Sequence, residues 1–300
     1  MLVSVKIIGI IMIKFEVDRN KCINCGLCVE DCITGCIESD SNGYPQMTDK
    51  NRCINCQHCF CICPKGAITF NGKTSENSEI TDYNNIISLI KSRRSIRKYK
   101  QENVSEEKLN QLKEMLHFIP TGCNSHSLHF SIVENKDAME EIRDKVNSKI
   151  INSLSYNVLS PVFNKFSKYK DAIKNGEDII FRNAPHMIVA SSPITAPCAN
   201  IDPVIALSYF ELYAHNLGLG TCWCGFAQIC IKIYPEICNM LQIPDGYVPV
   251  YAMLFGEPAV KYQRTIQPKP YQISSVTEID NYQNINFLNK TKRFITNFLR

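Results

Sequence analysis

The sequence predicts an α+β chain in two parts: a small cysteine-rich unit over residues 1–74 and a larger domain over residues 83–300 with a central sheet flanked by helices. Three observations carry this reading. Ten of the sixteen cysteines fall between Cys22 and Cys63. A polar, glycine-containing stretch, NGKTSENSEITD at residues 71–82, follows them and marks a linker over 75–82. Beyond it, apolar runs of strand length alternate with amphipathic helical patterns over roughly 220 residues, enough for one sizeable core.

The chain opens with MLVSVKIIGIIMI, apolar except for Lys6 and Ser4. A membrane-spanning helix needs about 20 such residues and a secretory leader needs a small-residue cleavage site, so this run fits neither. Residues 1–11 read as an upstream start extension, because Met12-Ile13-Lys14-Phe15 would open a strand naturally. The expectation is a soluble, cytoplasmic protein.

Next come Cys22, Cys25, Cys28 and Cys32, then Cys53, Cys56, Cys59 and Cys63, the last followed by Pro64. Both runs read C-x2-C-x2-C-x3-C. Bacterial two-cluster ferredoxins use this spacing to hold a pair of [4Fe-4S] clusters, each fourth cysteine reaching across to the other cluster. Paired C-x2-C motifs also build zinc ribbons, but steps of three, three and four, twice over, fit two cubanes better. The eight cysteines are therefore the candidate metal ligands. Crowded thiols at this spacing favour a reducing compartment over disulfides, and oxygen-sensitive clusters favour an anaerobe. The first run lacks the usual proline after its fourth cysteine, having Ile33, and Cys36 is a competing thiolate. Aligning the two halves puts Cys36 opposite Ala67, which makes Cys36 a small core residue, and Cys61 is out of step with the motif.

Charge adds little. Residues 1–74 hold eight Lys and Arg against seven Asp and Glu, leaving 25 against 22, so the parts contribute +1 and +3 to the net +4. Two cubanes with thiolate ligands would make the first part negative and help it dock on the second. No basic block or aromatic ladder points to nucleic acid.

In the larger domain, Ile86, Ile87, Leu89 and Ile90 precede a basic cluster, as expected of a helix with a cationic C-terminal end. Ser105 caps a second helix with Glu106 and Glu107 in its first turn, Val104 and Leu109 placed as a staple, and Leu109, Leu112 and Leu116 on one face. The clearest helix starts from Asp202 as N-cap with Pro203 at its first position and stops at Gly218. Its Ala206, Leu207, Phe210, Tyr213, Ala214 and Leu217 form a wide buried face. Strands are expected at Phe130 to Glu134, Met187 to Ser191 and Val248 to Phe255. Arg93-Arg94-Ser95-Ile96-Arg97 sits where the first helix ends, three guanidiniums and a hydroxyl able to clamp a phosphate. Pro120-Thr121-Gly122-Cys123-Asn124-Ser125-His126 is a turn-rich loop leading into a strand.

Together these segments resemble the FMN-dependent nitroreductase family. The family's Arg-Arg/His-Ser-x-Arg/Lys run matches residues 93–97, and its Pro-Ser/Thr-x-x-Asn-x-Gln-Pro-Trp-x-Phe segment matches Pro120, Thr121, Asn124, His126, Ser127, Leu128 and Phe130. Ala184-Pro185, Gly218-Leu219-Gly220-Thr221-Cys222-Trp223 and Gly256-Glu257-Pro258 follow in order, and the likeness covers residues 83 to about 270. The whole chain looks like a ferredoxin-nitroreductase fusion. The resemblance implies two [4Fe-4S] clusters and FMN as cofactors. It implies that Arg93, Arg94 and Ser95 hold the flavin phosphate and ribityl end, and that Arg97 approaches the pyrimidine edge. Further contacts come from Pro120, Thr121, Gly122, Asn124, Gly220 and Thr221, and Arg264 or, more weakly, Lys269 closes on the phosphate. FMN carries the chemistry, so no side chain is assigned as catalytic. His126-Ser127-Leu128 replaces the family's Gln-Pro-Trp at the inner wall of the pocket.

The resemblance further implies a homodimer with FMN in the interface and the tail at 289–300, with Phe294 and Phe298, wrapping the partner. Electrons would come from a low-potential, ferredoxin-like donor or from NAD(P)H, and pass to a nitroaromatic, quinone or similar small organic acceptor. Reductive dehalogenation on the same fold, and a non-enzymatic electron carrier or redox sensor, are the alternatives. Several features take plainer readings. Gly218 and Gly220 do not make a dinucleotide fingerprint. Cys222 and Cys224 are small buried side chains, and His117, His129, His186 and His215 lack ligand spacing.

Overall fold

A computed structural model describes residues 13–74, 86–155 and 169–277. The start extension, the linker at 75–82, the first residues of the helix expected from Tyr83, and the tail at 289–300 lie outside the described residues. The chain falls into two compact units, Met1–Gln267 and Pro268–Arg300. In the second unit, residues 268–277 are exposed and carry neither helix nor strand.

The cysteine-rich part of the first unit is a pseudo-symmetric pair of short elements. Strand β1 (Phe15–Val17) pairs antiparallel with β4 (Ile68–Phe70), joining its two ends, while β2 (Ile37–Ser39) pairs with β3 (Pro45–Met47). Short helices α1 (Leu27–Glu30) and α2 (His58–Ile62) each start after a left-handed residue, Gly26 and Gln57. Loops of this kind, with Asn24 and Asn55 also at positive φ, turn successive cysteines toward one space. Phe60, Ile62, Ile68 and Phe70 form the apolar floor, all at most 2% exposed.

The larger part is a four-stranded antiparallel sheet in the order β5 (His129–Val133), β6 (His186–Pro193), β8 (Tyr247–Gly256), β7 (Gly220–Trp223). Seven consecutive residues of β6, His186 to Ser192, are buried, which is why it reads as an unbroken apolar run and lies inside the sheet. Around the sheet lie α3 (Ile86–Ser92), α4 (Glu106–Met115), α5 (Lys136–Ser155), α6 (Lys170–Lys174), α7 (Asp202–Asn216), α8 (Gly225–Ile233) and α9 (Pro235–Met240). Leu207, Phe210 and Ala214 of α7 pack with Leu109 and Leu112 of α4, Ile188 of β6 and Phe255 of β8, and the opposite face of the sheet packs on α5. Ser105 caps α4 by accepting from the Lys108 amide at 3.4 Å.

The three expected strands appear within two residues of their predicted ends. Two expectations are corrected. Asp202 is the first residue of α7, with Ile201 preceding it as the cap, and its carboxylate instead accepts the Gly122 amide at 2.9 Å. A buried aspartate, 3% exposed, is thus spent on tying a distant loop to the helix start. The Gly220-Thr221-Cys222-Trp223 run, read as a motif after a helix, is strand β7, paired with β8 from Gly220 opposite Gly256 to Trp223 opposite Met253. Gly218, at φ +79, ends α7 as expected and lets the chain turn into that strand.

Candidate functional site

Three cysteines of the first run meet the fourth of the second. Cys22, Cys25 and Cys28 line one cavity together with Cys63, the fourth cysteine of the other run. Burial, then Cys63, Cys25 and Cys22, push the Cys28 thiol up to about 12. Cys59 is likewise raised, by burial and by Cys56 and Cys28, with Cys32 also within electrostatic reach, and Cys53 lies near Cys36 beside Cys32. Four sulfurs so close repel one another as thiolates and are relieved by a cationic group among them; among the described residues no group of three or more His, Cys, Asp or Glu side chains is placed to hold a single ion. The donor set fits cubane clusters. Cys36 and Cys61 are buried, at 1% and 0% exposure.

The cysteine-rich part docks against the segment holding residues 93–97 and against residues 260–267. Tyr262 Oη donates to Asp31 Oδ2 at 2.9 Å, and the Gln263 amide donates to the Cys61 carbonyl at 2.9 Å. Gln57 and Gln267 bond reciprocally, Gln57 Nε2 to the Gln267 carbonyl at 3.1 Å and the Gln267 amide to Gln57 Oε1 at 2.9 Å. His58, next to Cys59 and 6% exposed, puts Nε2 3.2 Å from the Ser95 carbonyl and 3.1 Å from Arg97 Nη1. That nitrogen can donate to the first or accept from the second, one at a time.

Residues 93–97 run alongside β7, with Ser95 bridging Thr221 and the Ile96 amide donating to the Thr221 carbonyl at 2.7 Å. The two faces of this ribbon open on two cavities. Arg94 and Gly220 line one of about 310 Å³ with His215, Lys261 and Tyr262. Arg94 is 6% exposed; its Nη1 donates to the Lys91 carbonyl at 3.0 Å and to that of Arg93, while Nε and Nη2 have no partner. Arg97 lines the other, of about 370 Å³, with Ile33, Arg182, Trp223 and Gly225. Cys222 and Cys224 are buried as expected, at 7% and 6%, yet they also line this cavity. Arg93 pairs with Glu211 at 3.1 Å, and Glu211 is within 3.5 Å of Thr221 Oγ1.

The remaining predicted contacts lie elsewhere. Arg264 donates to the Cys63 carbonyl, and Lys269 belongs to the second unit. Thr121 lines a third cavity of about 820 Å³ beside β5, with His126, Phe130, Ile142 and Leu241. Its loop is held open by left-handed Cys123, Asn124 and His126, and His126 Nε2 donates to Asn124 Oδ1 at 2.8 Å, so the residue standing for the family's glutamine holds the asparagine in place. Gly122 packs so closely that a Cβ there would come 2.5 Å from Cys198 Sγ, and Pro120 is exposed. Sequence reasoning passed over His58 and Arg182 and noted Ile33 only as a missing proline; their places arise only where distant segments meet.

A nitroreductase family profile matches residues 90–257, the whole ribbon-and-sheet arrangement just described. The chain belongs to the nitroreductase family. It is an FMN-dependent oxidoreductase, and a 4Fe-4S binding domain profile matches residues 15–38 at its N-terminus. It is 25% identical over 181 residues to a Bacillus subtilis protein named FMN reductase [NAD(P)H], covering 59% of this chain and 67% of that one. It is 26% identical over 178 residues to a putative NADH dehydrogenase/NAD(P)H nitroreductase of Methanothermobacter thermautotrophicus, covering 58% and 78%. An FMN-bound nitroreductase from Bacteroides fragilis shares the fold at a TM-score of 0.53 and 20% identity, over 65% of this chain and 100% of that one. Within the described residues no helix is long and apolar enough to cross a membrane.

Proposed function

We propose that this nitroreductase-family chain carries electrons from two [4Fe-4S] clusters to FMN and on to a nitroaromatic, quinone or similar organic acceptor. One observation carries the reading: the cysteine-rich part is docked on the ribbon that bears Arg94 and Arg97, with His58 touching both Ser95 and Arg97. When bound, the clusters supply single electrons and FMN pairs them for a two-electron reduction. Cys22, Cys25, Cys28 and Cys63 hold one cluster, and Cys53, Cys56, Cys59 and Cys32 the other. Arg94 offers its two unpartnered donors to the flavin phosphate, where a buried guanidinium without an anion is otherwise costly. Arg97 neutralises charge at the ring's pyrimidine edge, releasing His58 to bond the Ser95 carbonyl.

The separation of Thr121 and Asn124 from the residue 93–97 ribbon supports a homodimeric site in which the loop at 120–126 serves the flavin of a second copy. The cluster units, 1–74, and the flavin domain, 83–300, act as supplier and user. A low-potential one-electron donor is the favoured source, because a chain fed by nicotinamide hydride gains little from the clusters it carries. Stopped-flow traces at the flavin absorbance test this on the intact protein and on FMN-loaded protein stripped of iron. Reduced ferredoxin should reduce the flavin of the intact chain much faster than NADPH does, and the advantage should vanish without iron. Rapid reduction by NADPH, equal in both forms, would refute it.

A further inference from the structure

The two cysteine groups are built on the same repeat but differ at one ligand. In the second half of the repeat, Cys63 Sγ receives the Ala67 amide at 3.3 Å, and the residues two and four places after the cysteine are Lys65 and Ala67. In the first half the matching cysteine is Cys32, with Thr34 and Cys36 at the corresponding positions. Cys32 Sγ lies 3.5 Å from Cys36 Sγ and 3.7 Å from Thr34 Oγ1, and Thr34 Oγ1 donates to Cys36 Sγ at 3.3 Å. Hydroxyl and thiol thus stand in series, the Thr34 proton serving Cys36 and the Cys36 proton serving Cys32. Cys36 is 1% exposed, so water does not compete for it.

The site so furnished is the one on the flavin side. Ile33, bonded to Cys32, lines the cavity of Arg97, and His58, bonded to Cys59, touches Arg97. Cys22 and Cys25, by contrast, are half-buried and exposed, though Cys28 beside them is buried.

We propose that Thr34 and Cys36 are positioning residues that donate toward Cys32 sulfur and thereby hold the potential of the flavin-side cluster above that of its neighbour. A donor to a ligating thiolate offsets negative charge, which favours the reduced cluster, because reduction adds one more. The inference rests on the proposed function. Each transfer would move one electron and no atom: the exposed-side cluster would be oxidised by one as the flavin-side cluster is reduced by one, the low-potential donor being the reductant and the organic acceptor, reached through FMN, the final oxidant. The tuning makes the inner step run downhill toward the flavin.

The test is a redox titration of the anaerobically prepared holoprotein, followed by electron paramagnetic resonance, with iron counted in the same samples. The parent should show two couples and about eight irons per chain. Cys36→Ala should move one couple to more negative potential, leave the other in place and keep all the iron, and Cys36→Ser, which retains a donor, should recover most of the shift. Thr34→Val should move the same couple in the same direction by less, which keeps the inference testable if Cys36→Ala loads poorly. Unmoved couples, equal movement of both, or loss of half the iron on replacing Cys36 would each overturn it. A parent chain with four irons, or with zinc, would bring down the two-cluster reading as well, and is distinguishable because the parent itself then fails.

Discussion

Replacing Arg94 by Met separates flavin binding from folding. The guanidinium is 6% exposed and spends Nη1 on the carbonyls of Lys91 and Arg93, at the end of α3, while Nε and Nη2 lack an oxygen or nitrogen partner and the Cys61 thiol lies beside the group. Those two atoms form one edge of the guanidinium and suit two oxygens of a single phosphate. A charge-assisted bond contributes about 1.5–3 kcal/mol and the two are not additive, so the loss on removing the pair is about 3 kcal/mol, roughly 150-fold in the Kd for FMN. In the flavin-free protein the sign differs. Removing an unpaired buried donor relieves about 1–3 kcal/mol, which offsets the lost carbonyl bonds at about 1 kcal/mol each, and the Met side chain keeps most of the volume. Fluorescence titration with FMN should therefore show a Kd raised by roughly 100-fold at unchanged iron content, with the apo-protein melting within a few degrees of the parent. An unchanged Kd, or a collapse of apo stability with flavin affinity intact, would show that Arg94 is a helix cap and nothing more.

Two further outcomes follow from buried charge. His215 is pushed down to about 4 by burial and by Arg93 and Arg94, below its ordinary 6.5. The unfolded chain takes up the proton first, so this group's contribution is complete above about pH 6.5 and is lost as pH falls toward 4, amounting to about 2 kcal/mol after allowance for solvent screening. His215→Gln should flatten that decline in urea unfolding at pH 7 and 4.5, and an identical decline in the variant would refute it. Arg143 Nε pairs with Asp178 Oδ2 at 2.7 Å, and Asp178 also accepts the Phe181 and Asn183 amides, so Arg143→Met should cost about 3–5 kcal/mol in denaturant midpoints. A cost below about 1 kcal/mol would mean the pair is solvated.

What the chain revealed before folding was local chemistry. The Ser105 cap and the apolar face of α7 depend on neighbours within a turn or two, and each appears as read. Strand β7 escaped because four residues containing a glycine carry too little pattern, and its strand character comes from β8 and Ser95 on either side. Asp202 looked like a cap because residue type and position matched, yet its partner is Gly122, 80 residues away. His58 was an unremarked histidine between cysteines until Ser95 and Arg97, 37 and 39 residues later, came beside it. Arg93 to Arg97 read as an anion clamp from sequence, but which guanidinium pairs with Glu211 and which keeps unpartnered donors depended on the tertiary packing.

The bonds from Tyr262 to Asp31 and from Gln267 to Gln57 join residues 231 and 210 positions apart. On a ribosome the cysteine-rich part therefore emerges long before the segment that binds it has been made. At about 5–20 residues per second, some 200 residues take about 10–40 s to translate. Throughout that interval the cysteine-rich part lacks the bonds from Tyr262, Gln263 and Gln267 that later tie it to the larger part. Chain order thus sets the order of assembly: the two ends of the sequence meet last, and a permuted chain that began with the larger domain would bring the two partners of these bonds together in the opposite order.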